Sequence, residues 1–163
     1  MDLLPSRKRT RLIDYDYATP GSYFVTICTA ERKPLLSTVV VGQGLAPAAV
    51  RLSAYGRIVQ AQLAEIPQRF PNIQLDHFVI MPNHIHILMT VTDAPPHSSV
   101  IDAVRTLKSL TTRACRLHTP DHKLFQSSFY DHIIRGKEDY DAIWTYIDNN
   151  PARWAMDRFY ICE

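Results

Sequence analysis

The run Phe78-Val79-Ile80-Met81-Pro82-Asn83-His84-Ile85-His86-Ile87-Leu88-Met89 limits what this chain can fold into more than any other stretch. Apart from one proline, one asparagine and two histidines it is apolar, and it reads as a buried strand or pair of strands. Pro82 removes a ladder donor, which places a turn or bulge there and opens the following strand at His84. Side chains two apart on a strand share a face. His84 and His86 therefore point one way, while Ile85 and Ile87 point the other, into a core. Two imidazoles side by side on a rigid strand make half of a divalent-metal site. They also fit a pair of core histidines satisfied by hydrogen bonds, and the spacing alone leaves both readings open.

The elements around this run follow from periodicity. Tyr23 to Thr29 reads as a strand, rich in aromatic and β-branched residues. Residues Val39–Val41 and Ala48–Leu52, around Gly42-Gln43-Gly44, suggest a small hairpin or an insertion. Ser53 is a good N-cap for a helix whose stripe (Tyr55, Ile58, Val59, Gln62, Leu63, Ile66) runs until Pro67 breaks it. Strands follow over Ile73–Phe78 and His84–Thr92. After a linker at 93–98, Ser98 or Ser99 caps a helix with Val100, Val104, Leu107, Leu110, Thr111 and Ala114 on its core face. A last strand lies around Phe129–Arg135, and the final helix runs from Glu138 to Asn150, where Pro151 stops or kinks it. The order βαββαβ plus a C-terminal helix predicts an α+β, ferredoxin-like antiparallel sheet with helices packed on one face. Its first and third strands are central, so the histidine strand is interior and the other sheet face is open to a ligand.

At 163 residues the chain is expected to form one domain, 1–163, with residues 1–14 as a basic N-terminal arm. Three widely spaced cysteines without a CxxC argue against a disulfide framework or a zinc ribbon. With no signal-peptide core and no run long enough to span a bilayer, the expectation is a cytoplasmic protein without a membrane partner. A net charge of +2 says little. Its distribution says more: Arg7, Lys8, Arg9 and Arg11 crowd one end, and Arg105, Lys108, Arg113 and Arg116 recur along a later helix. Such clusters suit a local polyanion contact, or a solubilising tail and a solvated helix face, and the charges alone favour the second.

On the final helix Tyr146 and Asn150 share a face, being four apart. A phenol is a poor nucleophile while protonated, and becomes useful when held in line with an electrophile already polarised by a metal. A phosphodiester in single-stranded DNA is such an electrophile. Taken singly, Tyr146 also fits a core residue with its hydroxyl at the rim, and Asn150 a helix C-terminal residue.

Three motifs in order, Met81-Pro82-Asn83-His84-Ile85-His86, Phe129-Tyr130-Asp131-His132-Ile133-Ile134-Arg135 and Tyr146-Ile147-Asp148-Asn149-Asn150-Pro151, resemble the single-tyrosine HUH transposases of the IS200-like family. The likeness is closest to the REP-associated tyrosine transposase branch and spans about residues 12–157. The resemblance implies a metal-dependent single-stranded DNA endonuclease and strand-transferase working through a 5′-phosphotyrosine. It implies Tyr146 as the nucleophile and His84, His86 and Asn150 as ligands of Mg²⁺ or Mn²⁺. It implies substrates that are DNA hairpins with a short single-stranded foot (repetitive palindromic elements), and a bacterial, nucleoid-associated setting. His132 and Arg135 match the second motif, either as phosphate contacts or buttresses, or as a structural hydrogen-bond pair. With the arm residues and Arg105, Lys108 and Arg113 they are the candidate DNA-binding residues. Relatives work as monomers or as homodimers that exchange the tyrosine helix, and the sequence leaves both open. Two other readings remain, a catalytically silent hairpin-binding protein and a water-using His-x-His metal phosphodiesterase.

Overall fold

The computed structural model describes residues 11–41, 47–117 and 123–160. Arg7, Lys8, Arg9, the Gly42-Gln43-Gly44 turn and Cys162 lie outside the described residues. Four strands form the main sheet: β1 (Gly21–Cys28), β4 (Ile73–Ile80), β5 (His84–Val91) and β6 (Tyr130–Ile133). Their spatial order is β4-β5-β1-β6, and every neighbouring pair is antiparallel. With helices α1 (Ala54–Ala64) and α3 (Val100–Cys115) as crossovers, this is the ferredoxin-like arrangement. The histidine strand β5 is interior, flanked by β4 and β1.

The period of two along β1 and β5 sorts the side chains into two sets. Tyr23, Val25 and Ile27 of β1 join Ile85, Ile87, Met89 and Val91 of β5 in one core. Val59 and Leu63 of α1 and Val100, Val104 and Leu107 of α3 close over that face. Burying such aliphatic side chains is worth about 1.5–3 kcal/mol each. On α3 the buried face is turned slightly from the expected stripe, with Ala103 and Cys115 buried rather than Leu110 and Ala114. Ser99 caps α3 in a reciprocal capping box with Asp102.

The expected small hairpin is present as β2 (Ser37–Val40) paired with β3 (Ala49–Leu52) in a separate two-stranded sheet. Gly56, in the first turn of α1, lets the helix lie against this region. A Cβ at Gly56 would sit 2.1 Å from the Leu36 carbonyl oxygen. The helix ends before Pro67, which instead falls in the first turn of a short second helix, α2 (Ile66–Arg69), where its missing N–H costs nothing.

The last helix, α4 (Lys137–Asn149), crosses the opposite face of the sheet from α1 and α3. Its Trp144 stacks on His77 of β4 with ring centroids 4.3 Å apart, and Asp148 meets His77 Nε2 at 2.7 Å. Beyond it the chain turns at Pro151, forms one 3₁₀ turn (Trp154–Met156) and runs back toward the start of β5.

Candidate active site

His84 and His86 are fully buried on the sheet face opposite the aliphatic core, with their ring centroids 4.5 Å apart. Each has its Nδ1 tied to a neighbour. His84 Nδ1 meets Asn83 Oδ1 at 2.9 Å, and His86 Nδ1 meets Thr26 Oγ1 at 2.8 Å. Asn83 offers only a carbonyl oxygen here, so Nδ1 of His84 carries the proton and Nε2 presents its lone pair. This is how metal-ligating histidines are usually oriented. Thr26 reaches His86 because the antiparallel register places it directly opposite.

Electrostatics push the same way. Burial draws His84 down to about 4, against the Asp157 carboxylate and the Asn150 amide, which favour its charged form. Burial, and then the adjacent His84, hold His86 well below its usual range. Both rings are therefore neutral near pH 7, the form that can donate a lone pair to a cation.

Helix α4 delivers Tyr146 to this pair from the same chain. The phenol oxygen lies 3.4 Å from His86 Nε2, and its ring packs against His86 and, edge-on, Phe24. Tyr146 is 37% exposed, so the hydroxyl is held at the site yet open to an incoming group. Burial and Asp157 raise its pKa, opposed by Arg158 and by the Asn150 amide. The phenol is thus protonated at neutral pH. One turn further, Asn150 is buried at the helix terminus and donates from Nδ2 to Asp157 Oδ2 at 3.1 Å.

Asp157 carries no signal in the sequence reading, because it sits in an irregular segment with no period. Its Oδ2 lies 3.9 Å from His84 Nε2, and its side chain is almost wholly buried. Ligand atoms of His84, His86 and Asp157 all lie within 4.8 Å of one another, a group that could hold a metal ion. His84 Nε2 and Asn150 Oδ1 are buried without a hydrogen-bond partner among the described residues. Leaving such atoms unsatisfied costs about 1–3 kcal/mol each. Two orphaned lone pairs facing a carboxylate fit a divalent cation by their chemistry. Asn83 was also missed as a functional residue, although it stands in the quoted motif. Its Nδ2 donates to the carbonyls of Arg32 and Phe159, which pins the returning segment over the histidines.

The structure thus brings together His84, His86, Tyr146 and Asn150, and places the basic candidates among the described residues elsewhere. Arg105 is exposed and pairs with Asp102. Lys108 donates to the carbonyls of Gln126 and Ser127, so its ammonium props the loop before β6. Burial, with Arg11 and Lys123 nearby, lowers its pKa. Arg113 joins Arg116 and Lys123 along an open groove of about 1000 Å³. Arg11 stacks over the Phe129 ring at 4.3 Å. His132 pairs with Asp139 at 2.8 Å, and Asp139 also accepts the Arg135 backbone N–H at 3.1 Å. His132 and Asp139 therefore join β6 to the first turn of α4.

A buried pair of strand histidines faces a helix-borne tyrosine on a ferredoxin-like sheet, and comparison with known proteins places this arrangement in a family. The family model described as transposase, IS200-like, matches residues 22–150. The chain belongs to the IS200-like transposase family, a family of DNA-cleaving enzymes. It is 30% identical to an uncharacterised protein of Haemophilus influenzae, over 95% of this chain and 93% of that protein. Its fold is similar to that of a REP-associated tyrosine transposase solved bound to a REP hairpin. That match has a TM-score of 0.66 at 19% identity, covering 91% of this chain and 76% of the other. A protein of Deinococcus radiodurans R1 described as a candidate transposase matches with a TM-score of 0.52 at 18% identity, over 86% and 97% of the two chains. Among the described residues no helix is long and apolar enough to cross a membrane.

Proposed function

We propose that this chain is a tyrosine-nucleophile transposase that nicks and rejoins single-stranded DNA beside a hairpin with the help of Mg²⁺ or Mn²⁺. The observation that carries this reading is the placement of the Tyr146 hydroxyl 3.4 Å from His86 Nε2, at the edge of a cluster of inward-facing donors. His84, His86 and Asn150 would hold the ion, whose contribution when bound is to polarise the scissile phosphate and stabilise the departing oxygen.

The remaining work falls to the chain's own residues. Asn83 and Thr26 fix the two rings so that both Nε2 atoms face inward. Tyr146 attacks phosphorus: the bond from its phenol oxygen forms, the bond to the 3′ oxygen breaks, the phenol proton passes to solvent, and the leaving 3′ oxygen takes up a proton to become the 3′-OH. The 5′-phosphotyrosine keeps the energy of the ester, so a second 3′-OH can reverse the step without ATP.

A cavity of about 530 Å³ beside Tyr146 includes Arg153 and Arg158 in its wall, which suits the strand on either side of the scissile phosphate. The groove with Arg113, Arg116 and Lys123 suits a duplex stem. The loop it shares bonds to the end of β1, where Gln126 N–H meets the Cys28 carbonyl, and Cys28 is opposite His84. Groove and tyrosine thus lie toward one end of the sheet. Such cationic contacts give affinity that falls steeply with salt. The test is a labelled hairpin with a single-stranded foot, incubated with Mn²⁺ and resolved by denaturing electrophoresis. Tyr146→Phe is expected to abolish the covalent adduct and leave hairpin binding within about twofold. An adduct that persists with phenylalanine at 146 rejects Tyr146 as the nucleophile.

A further inference from the structure

The match to the family model ends at residue 150, and the segment that follows folds back over the histidines and places one carboxylate among them. Asp157 is not free to be there by accident. Its Oδ1 accepts the Phe159 backbone N–H at 2.8 Å, and its Oδ2 accepts from Asn150 Nδ2 at 3.1 Å. Phe159 packs on the His84 ring with centroids 4.7 Å apart, and its carbonyl is held by Asn83. The carboxylate is thus fixed from both sides, 3.9 Å from a histidine nitrogen that has no hydrogen-bond partner among the described residues.

That spacing is too long for a hydrogen bond. It matches two ligands facing one ion instead, since donor atoms about 2.0–2.2 Å from a small dication stand roughly 3–4 Å apart. The nearby Asn150 amide supplies a second oxygen, also without a hydrogen-bond partner among the described residues. With two neutral imidazoles, one neutral amide and one carboxylate, the site carries a single negative charge. Two oxygen donors suit hard ions such as Mg²⁺ and Mn²⁺, and the imidazoles favour Mn²⁺ of the two.

We infer that Asp157 is a further ligand of the divalent cation, so that metal binding fastens the segment after Pro151 to the sheet. This rests on the proposed metal site at His84 and His86, and extends it to a residue outside the matched family region. Arg153 and Arg158 flank the ligand, which gives the idea a readout independent of catalysis: trypsin can cut after either.

The experiment is calorimetric titration of MnCl₂ into the full metal-free chain, alongside His84→Ala, Asp157→Asn and Asp157→Glu. Asp157→Asn keeps the size of the side chain and an oxygen acceptor, and near-ultraviolet circular dichroism reports whether the fold is retained. The expected result is an affinity loss on the order of 10- to 100-fold for Asp157→Asn, the scale on which metal-site partners act. Asp157→Glu should recover part of it. Mn²⁺ should slow tryptic cleavage at Arg153 and Arg158 in the parent chain but not in Asp157→Asn. If His84→Ala loses the metal while Asp157→Asn binds it as the parent does, the carboxylate only ties down the segment, and the inference is overturned. If the parent chain itself takes up no Mn²⁺, the underlying metal site fails and this inference falls with it.

Discussion

Tyr17 shows how much one hydroxyl can hold in this molecule. The residue is 4% exposed, and its O–H donates to Asp131 Oδ2 at 2.7 Å, joining the loop before β1 to strand β6. The other carboxylate oxygen, Asp131 Oδ1, is buried without a hydrogen-bond partner among the described residues. Burial, followed by the bond to Asp131, pushes the Tyr17 pKa up to about 12 from its ordinary 10.0. A raised pKa in the folded state means that the protonated phenol stabilises the fold below pH 10. That contribution is lost as pH rises through 12, with a slope of about 1.4 kcal/mol per pH unit. Tyr17→Phe strips Asp131 of its partner and should cost about 1–3 kcal/mol at pH 8. Urea denaturation at pH 8, 10 and 11 would show the gap between parent and variant narrowing above pH 10. A gap that stays constant across that range would mean Tyr17 does not titrate as a buried, bonded phenol.

At the scale of elements, the position of α4 decides whether the tyrosine meets the histidines, and few contacts fix that position. Ile147 is its one buried residue, so the helix is held largely by the His77–Trp144 stack, the His77–Asp148 bond and the His132–Asp139 pair. Trp144→Ala removes the stack without touching a ligand or the nucleophile. Adduct formation should slow roughly ten- to a hundredfold, the cost of misplacing a reacting group by about an ångström. Mn²⁺ affinity should fall much less, because three of the four proposed donors, His84, His86 and Asp157, lie off the helix and only Asn150 rides on its C-terminal end. Equal losses in both would place Trp144 in the fold rather than in the alignment of Tyr146. This also marks where the sequence is readable. The facing of His84 and His86 follows from the period of a strand, and the shared face of Tyr146 and Asn150 from the period of a helix. Which sheet face α4 covers does not follow, since its aromatic and acidic residues are spread around the helix axis. Asp157 is invisible for a stronger reason: an irregular segment has no period, and only the bonds to Asn83 and Asn150 give it an address. On α3, spacing cannot reveal that Lys108 is engaged by two carbonyls while Arg113 and Arg116 line a groove.

For the molecule as a whole, the aliphatic core and the polar site lie on opposite faces of one sheet. The core, closed by α1 and α3, can hold the fold without an ion. The site draws its donors from positions 84, 86, 150 and 157, which adjoin only once β5, α4 and the returning segment are in place. An unfolded chain has no comparable cluster, so an ion that binds here binds the native state alone. Mass action then sets the gain: about 2.7 kcal/mol at a metal concentration one hundred times Kd. For a chain of this length each kcal/mol moves the midpoint of thermal unfolding by about 2–4 °C. MnCl₂ at that concentration should therefore raise Tm by roughly 5–10 °C. EDTA should return Tm to the metal-free value while leaving the protein folded at 25 °C. His84→Ala, which removes a donor without entering the aliphatic core, should abolish the shift. Differential scanning calorimetry of the parent and this variant, with and without the ion, makes the measurement. A parent chain whose Tm is indifferent to saturating Mn²⁺ would mean that these donors, though adjacent, do not act as one site.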